Sequence, residues 1–83
     1  MLRNKVKAVA ANIRNKREEL NYTQEYLAAK LNISQNAYSK IELGYTKITV
    51  ERLFQIAEIL ETELMDLINT REAEAAWMAK KSE

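Results

Sequence analysis

Eighty-three residues make at most one domain, with a core so small that its margin of stability is thin. Hydrophobic residues make up 47%, proline is absent and Gly44 is the one glycine, which favours helices with short connections; the absence of cysteine and histidine excludes disulfides and thiolate or imidazole metal sites and removes the commonest general acid–base. The net charge of +1 hides a division: residues 1–47 carry nine Lys and Arg against four Glu, residues 48–83 carry four against eight acidic groups, and such a basic half suits a polyanion.

A first helix is predicted from about Asn4 to Asn21. Val6, Val9, Ala10, Ile13, Arg17 and Leu20 recur at helical spacing and form one face. Arg17 is the only charged member of that face, where an unpaired charge is costly. The basic opening MLRNKVKAVAANIRNK lacks a signal-peptide apolar stretch, and no run approaches the roughly 18 apolar residues of a membrane span. Thr23 is placed to cap a second helix, with Gln24 and Glu25 in its first turn and Tyr26, Leu27, Ala28 and Leu31 as apolar groups. The small Ala28 suits a close helix crossing. Asn32 is the expected left-handed residue that ends this helix, and Ile33 then plugs into the core.

Ser34 is placed to cap a third helix, Gln35 to about Leu43. Ala37, Tyr38 and Ile41 point inward, while Gln35, Asn36, Ser39 and Lys40 occupy positions that need not face the core. Gly44 fits a helix end with positive φ. After a loop at 45–48, Thr49 caps a fourth helix through Leu60, with Val50, Leu53, Phe54, Ala57 and Leu60 on one face. A short fifth helix from Glu63 to Ile68 contributes Leu64, Leu67 and Ile68. Leu27, Leu31, Ile33, Ile41, Leu53, Phe54, Ile56 and Leu60 are assigned to core or interface.

The segment 70–83 is rich in alanine and charge and has high helix propensity. Its large apolar groups, Trp77 and Met78, either dock on the fifth helix or enter a dimer contact. The expected architecture is all-α: a compact bundle of about five helices over residues 1–69, with a helical C-terminal extension over 70–83.

The stretch TQEYLAAKLNISQNAYSKIELG, Thr23 to Gly44, reads as two short helices joined by a tight turn. A short helix that is polar on its outer side fits the major groove of DNA and can hydrogen-bond base edges there. With the downstream segment ITVERLFQIAEILETELMDLI, residues 13–68 resemble the Cro/repressor-type helix-turn-helix family, also called the XRE family. The family pattern is Thr/Ser-Gln, Leu-Ala, a glycine turn, a Ser/Thr cap, a hydrophobe and Glu-x-Gly. Three positions depart from it: Asn32 stands for the turn glycine, Tyr38 for an aliphatic residue, and Glu61 for the glycine that often ends the fourth helix.

The resemblance implies a lambda-repressor-like fold and sequence-specific binding of double-stranded DNA. It aligns Gln35, Asn36 and Lys40, with Ser39 beside them, to base-contacting positions. Amides pair well with adenine and lysine with guanine. Gln24 aligns to a phosphate contact, where helix N-termini favour anions. Tyr45 and Lys47 resemble backbone contacts after the reading helix, and Arg14 on the first helix is a further candidate. The family's ion pair between the first and third helices maps to Arg17 and Glu42.

A palindromic operator and a homodimer through helix five and the tail are the implied partners, with a cytoplasmic bacterial, phage or mobile-element setting and no membrane, cofactor or metal. A different class remains beside this one: a protein-interaction module on the same scaffold, such as an antitoxin. An enzyme requires a nucleophile–base pair that the sequence lacks, and Asp66 is its single aspartate.

Overall fold

A computed structural model describes residues 2–71, with side chains from Asn4 onward. Among these the elements are α1 (Leu2–Glu19), α2 (Gln24–Leu31), α3 (Gln35–Glu42), α4 (Val50–Ile59) and α5 (Leu64–Ile68). The tail helix, Trp77 and Met78 fall outside the described residues.

Local chemistry punctuates the chain. Thr23, Ser34 and Thr49 each accept a hydrogen bond from a backbone N–H three residues on, at Tyr26, Ala37 and Arg52, all at 3.0 Å. Each hydroxyl so satisfies one of the orphan donors of a helix start. The ends of α1 to α4 share one pattern. Asn21, Asn32, Gly44 and Glu61 take positive φ, at 59°, 59°, 76° and 53°. At each end two backbone N–H groups return to the last turn, as Asn32 does to Ala29 and Ile33 to Ala28. This is the Schellman closure. Three of the four left-handed positions are not glycine.

Short helices with firm ends then pack on one core. Ile13, Leu27, Ala28, Leu31, Tyr38, Ile41, Ile56, Ala57, Leu60 and Leu67 form the buried cluster, with Val9, Leu20, Ile33 and Leu53 half-buried against it. α2 packs on α3, α1 spans α3 and α5, and α4 packs on α2 and α5. Ala28 is buried within this core on α2. The Asn12 amide donates to the carbonyls of Leu67 and Asn69, both at 2.9 Å, and so ties the end of α5 to α1.

The structure corrects several expectations. α1 begins two residues before Asn4 and ends at Glu19, because the left-handed Asn21 closes it. On α4, Val50 and Phe54 are 65% and 56% exposed, so neither is core. The helix is turned so that Leu53, Ile56, Ala57 and Leu60 face inward, leaving Val50 and Phe54 at the edge of that stripe. On α5, Ile68 is also exposed and Leu67 alone is buried. Ala8, absent from the expected face of α1, is buried.

Candidate nucleic-acid interface

α3 is a helix of eight residues with two opposed characters. Tyr38 and Ile41 are buried in the core beneath it. Gln35, Asn36 and Lys40 are exposed, and Ser39 is half-buried. These four side chains make no hydrogen bond or ion pair with the described residues. Helical spacing places them in two rows: Asn36 with Lys40, and Gln35 with Ser39 and then Glu42.

Glu42 stands at the inner end of the second row and is treated differently. Its side chain is 2% exposed and that of Arg17 is 12% exposed. Arg17 grips the carboxylate as a fork, with Nε donating to Oε2 at 2.7 Å and Nη2 to Oε1 at 3.1 Å. Gln24 Nε2 donates to the same Oε1 at 3.1 Å, and Arg17 Nη1 donates to the Tyr22 carbonyl at 2.8 Å. One carboxylate therefore gathers α1, the α1–α2 turn, the start of α2 and the end of α3. Burial pushes the Glu42 carboxyl up, but Arg17 first, then the neighbouring Tyr38 hydroxyl and Gln24, outweigh it and hold it below the ordinary carboxylate value. The bond to Glu42 likewise raises the Arg17 guanidinium.

Tyr38 lies beside this node. Its hydroxyl is buried with no hydrogen-bond partner among the described residues. Burial, reinforced by the Glu42 carboxylate, pushes the phenol far above its usual value, so it stays neutral.

The flanking candidates are placed as follows. Gln24 begins α2 beside free backbone N–H groups, and one of its two amide hydrogens is engaged by Glu42. Tyr45 is 73% exposed and Lys47 is exposed in the loop after α3. Arg14 is exposed on α1, and its Nε meets Glu18 Oε2 at 3.4 Å, an exposed pair one turn apart that holds the side chain only weakly. The Asn36–Lys40 row borders a cleft of about 480 Å³ whose far wall includes Lys47, Thr49 and Arg52. Arg52 carries no motif signature in the sequence, and only the packing of α4 on α2 brings it there. The Gln24–Glu42 bond was equally hidden, since an amide leaves no periodic trace.

A family model described as "Helix-turn-helix" matches residues 13–67. Among solved structures, the clp gene regulator ClgR from Corynebacterium glutamicum is similar in fold, with a TM-score of 0.82 and 22% identity over 94% of this chain and 83% of that one. No curated protein matches.

Proposed function

Since the chain belongs to the helix-turn-helix family, we propose that it is a sequence-specific regulator of transcription, a repressor that acts by occupying double-stranded DNA with α3 in the major groove. One observation carries this reading. The outer side of α3 presents two amides, a hydroxyl and an ammonium that no described residue satisfies, while its inner side is locked into the core. Gln35 and Asn36 have the donor–acceptor pair that matches adenine N6 and N7, Lys40 donates to guanine O6 and N7, and Ser39 assists. Gln24, Tyr45, Lys47 and Arg14 contact phosphates, fixing register without reading sequence.

A single eight-residue helix reads few base pairs, so genomic specificity calls for two copies. α5 supports a homodimer, since it presents Met65 and Ile68 to solvent at 67% and 38% exposure. With the tail it forms the contact, and the two reading helices then lie about 34–36 Å apart on a palindromic site. Among the described residues no helix is long and apolar enough to cross a membrane.

Selection of binding sites from random duplexes tests the reading. A palindromic enriched motif supports both recognition and the dimer, an isolated half-site supports recognition alone, and no enrichment removes the proposal. The protein-interaction alternative draws on the exposed Val50 and Phe54 of α4. It predicts no log-linear loss of duplex affinity with salt, whereas DNA binding does.

A further inference from the structure

A second cleft, of about 490 Å³, opens between α1, the loop after α3 and α4. Val6 and Val9 line it from α1, Tyr45 and Ile48 from the loop and Leu53 from α4, and Lys47 is the one charged residue in its lining. Val6 is half-buried and lies outside the core cluster, and Tyr45 is 73% exposed. On α4 the exposed Val50 and Phe54 share the side of Leu53, at i, i+3, i+4 spacing, and continue the apolar surface. A concave apolar surface of this size is in the range that encloses an organic group. Left to water, it forgoes burial that a small core needs.

The path of the chain leads towards this cleft. Thr62 and Asp66 stand opposite Lys16 and Glu19, and the carbonyls of Leu67 and Asn69 meet Asn12, so α5 runs along α1 towards its N-terminus. Val9 and Val6 come next in that direction, three and six residues before Asn12, or about 4.5 and 9 Å along the helix. Trp77 lies six residues after Arg71, a reach of up to about 20 Å. Charge agrees with this path. Residues 1–17 hold no carboxylate, Lys5 and Lys7 flank Val6, and Glu72 and Glu74 precede Trp77. We infer that the tail, residues 72–83, packs into this cleft of its own chain, with Trp77 as the plug. An indole side chain buries on the order of 150–250 Å². Three elements enclose it here, whereas α5 offers Met65 and Ile68 on a single helix face. So short a tether gives an effective concentration on the order of millimolar, so the chain's own cleft captures the indole ahead of a second copy at micromolar concentration. The inference goes beyond the DNA-binding reading and does not depend on it. Residues beyond Met78 stay available to the dimer contact of α5.

Trp77 is the only tryptophan, so fluorescence of the full chain tests the seat directly. Its emission is expected to lie to the blue of free tryptophan, with acrylamide quenching several-fold weaker. Neither reading should change between nanomolar and micromolar protein. Val6→Asp puts a carboxylate into the cleft at a position outside the core cluster. It should return both readings to those of free tryptophan while circular dichroism shows the helices intact. Met65→Asp, on α5, should change neither reading. A solvent-like indole in the wild-type chain overturns the inference, as does protection that survives Val6→Asp. Protection that grows with protein concentration overturns it in favour of the dimer contact, and exposure of the indole by Met65→Asp overturns it in favour of α5. If Val6→Asp fails to fold, nuclear Overhauser contacts of the wild-type indole decide. Contacts to the Val6 and Val9 methyls support the seat, and their absence removes it. All of this is measured without DNA, so loss of the seat and loss of duplex binding are separate results.

Discussion

Lys40 and Glu42 stand two residues apart on α3, and the protein treats them in opposite ways. Glu42 is buried and saturated, with three hydrogen bonds from Arg17 and Gln24 reaching its two oxygens. Lys40 is exposed and bonds to no described residue. A helix of this length cannot hold itself in water, so its orientation must come from elsewhere. Glu42 supplies it, by fixing α3 to α1 and α2 through a fork with little angular freedom. The outward row can then remain unsatisfied within the protein. Polarity on one helix therefore divides into groups that hold the fold together and groups that no described residue satisfies.

The sharpest way to break this division is to empty the inner site. Glu42→Ala leaves the Arg17 guanidinium buried without its counter-charge, which costs about 3–5 kcal/mol. That is a large part of the stability of so small a domain. Thermal denaturation is expected to show a loss of tens of degrees or no cooperative transition, with duplex binding lost in parallel. Normal melting with normal binding would mean that the node does not position α3.

The same site has a pH signature. The folded Glu42 carboxyl lies below its ordinary value of 4.5, so the unfolded chain binds the proton more readily. Its contribution to stability is full above the unfolded value and is lost as pH falls through the folded one. Stability measured by urea denaturation should therefore drop below about pH 4.5, and Glu42→Gln should flatten that part of the profile. Parallel profiles for the two proteins would assign acid sensitivity to other carboxylates.

Lys40→Ala probes the outer row. Stability should stay within about 0.5 kcal/mol, as for an exposed residue with no partner. Discrimination at one base pair should fall by about 1–3 kcal/mol, seen as relaxed preference at one position of the selected site. Lys47→Ala should instead weaken every sequence alike. If both act uniformly, the outer row adds affinity and does not read bases.

The ease with which each part could be read from the sequence follows its chemistry. Helix starts were plain, because Thr23, Ser34 and Thr49 are hydroxyl caps that act within three residues. Asn32 was also legible as a left-handed stop. Asn21 obeys the same rule, and the strings NYTQ (21–24) and NISQ (32–35) repeat one instruction: left-handed Asn, half-buried hydrophobe, hydroxyl cap, Gln. That repetition was available and would have ended α1 two residues earlier. The phase of α4 was not available, because Val50 and Phe54 satisfy helical periodicity and only packing against α2 and α5 turns them outward. The Arg17–Glu42 pairing came through family resemblance. The Asn12 and Gln24 bonds, spanning 55 to 57 and 18 residues, leave no local pattern to find.

Tyr38 sharpens the comparison from inside the core. Its hydroxyl sits beside the saturated Glu42 yet has no partner among the described residues. An unsatisfied buried hydroxyl is a cost that the ring does not share. Tyr38→Phe should raise stability by about 1 kcal/mol, measured by urea denaturation, with affinity unchanged. A loss of stability would show that the hydroxyl belongs to the Glu42 node after all, and that the node extends further into the core than its bonds suggest.

The smallest expected effect lies farthest from both rows. Glu61 holds φ at 53° and closes α4 by sending its N–H to Glu58, while Thr62 bonds back to Ala57. Its Cβ makes that conformation costly by about 1–2 kcal/mol, and glycine would remove the strain. Glycine also adds freedom to the unfolded chain, which offsets about 0.5–1 kcal/mol of the gain. Glu61→Gly should therefore raise the melting temperature by about 2–4 °C. The position of α3 depends on Glu42 and not on the α4–α5 joint, so salt slope and base preference should stay as they are. A change in base preference would show that the joint reaches the reading row, and scaffold and recognition could no longer be treated as separable.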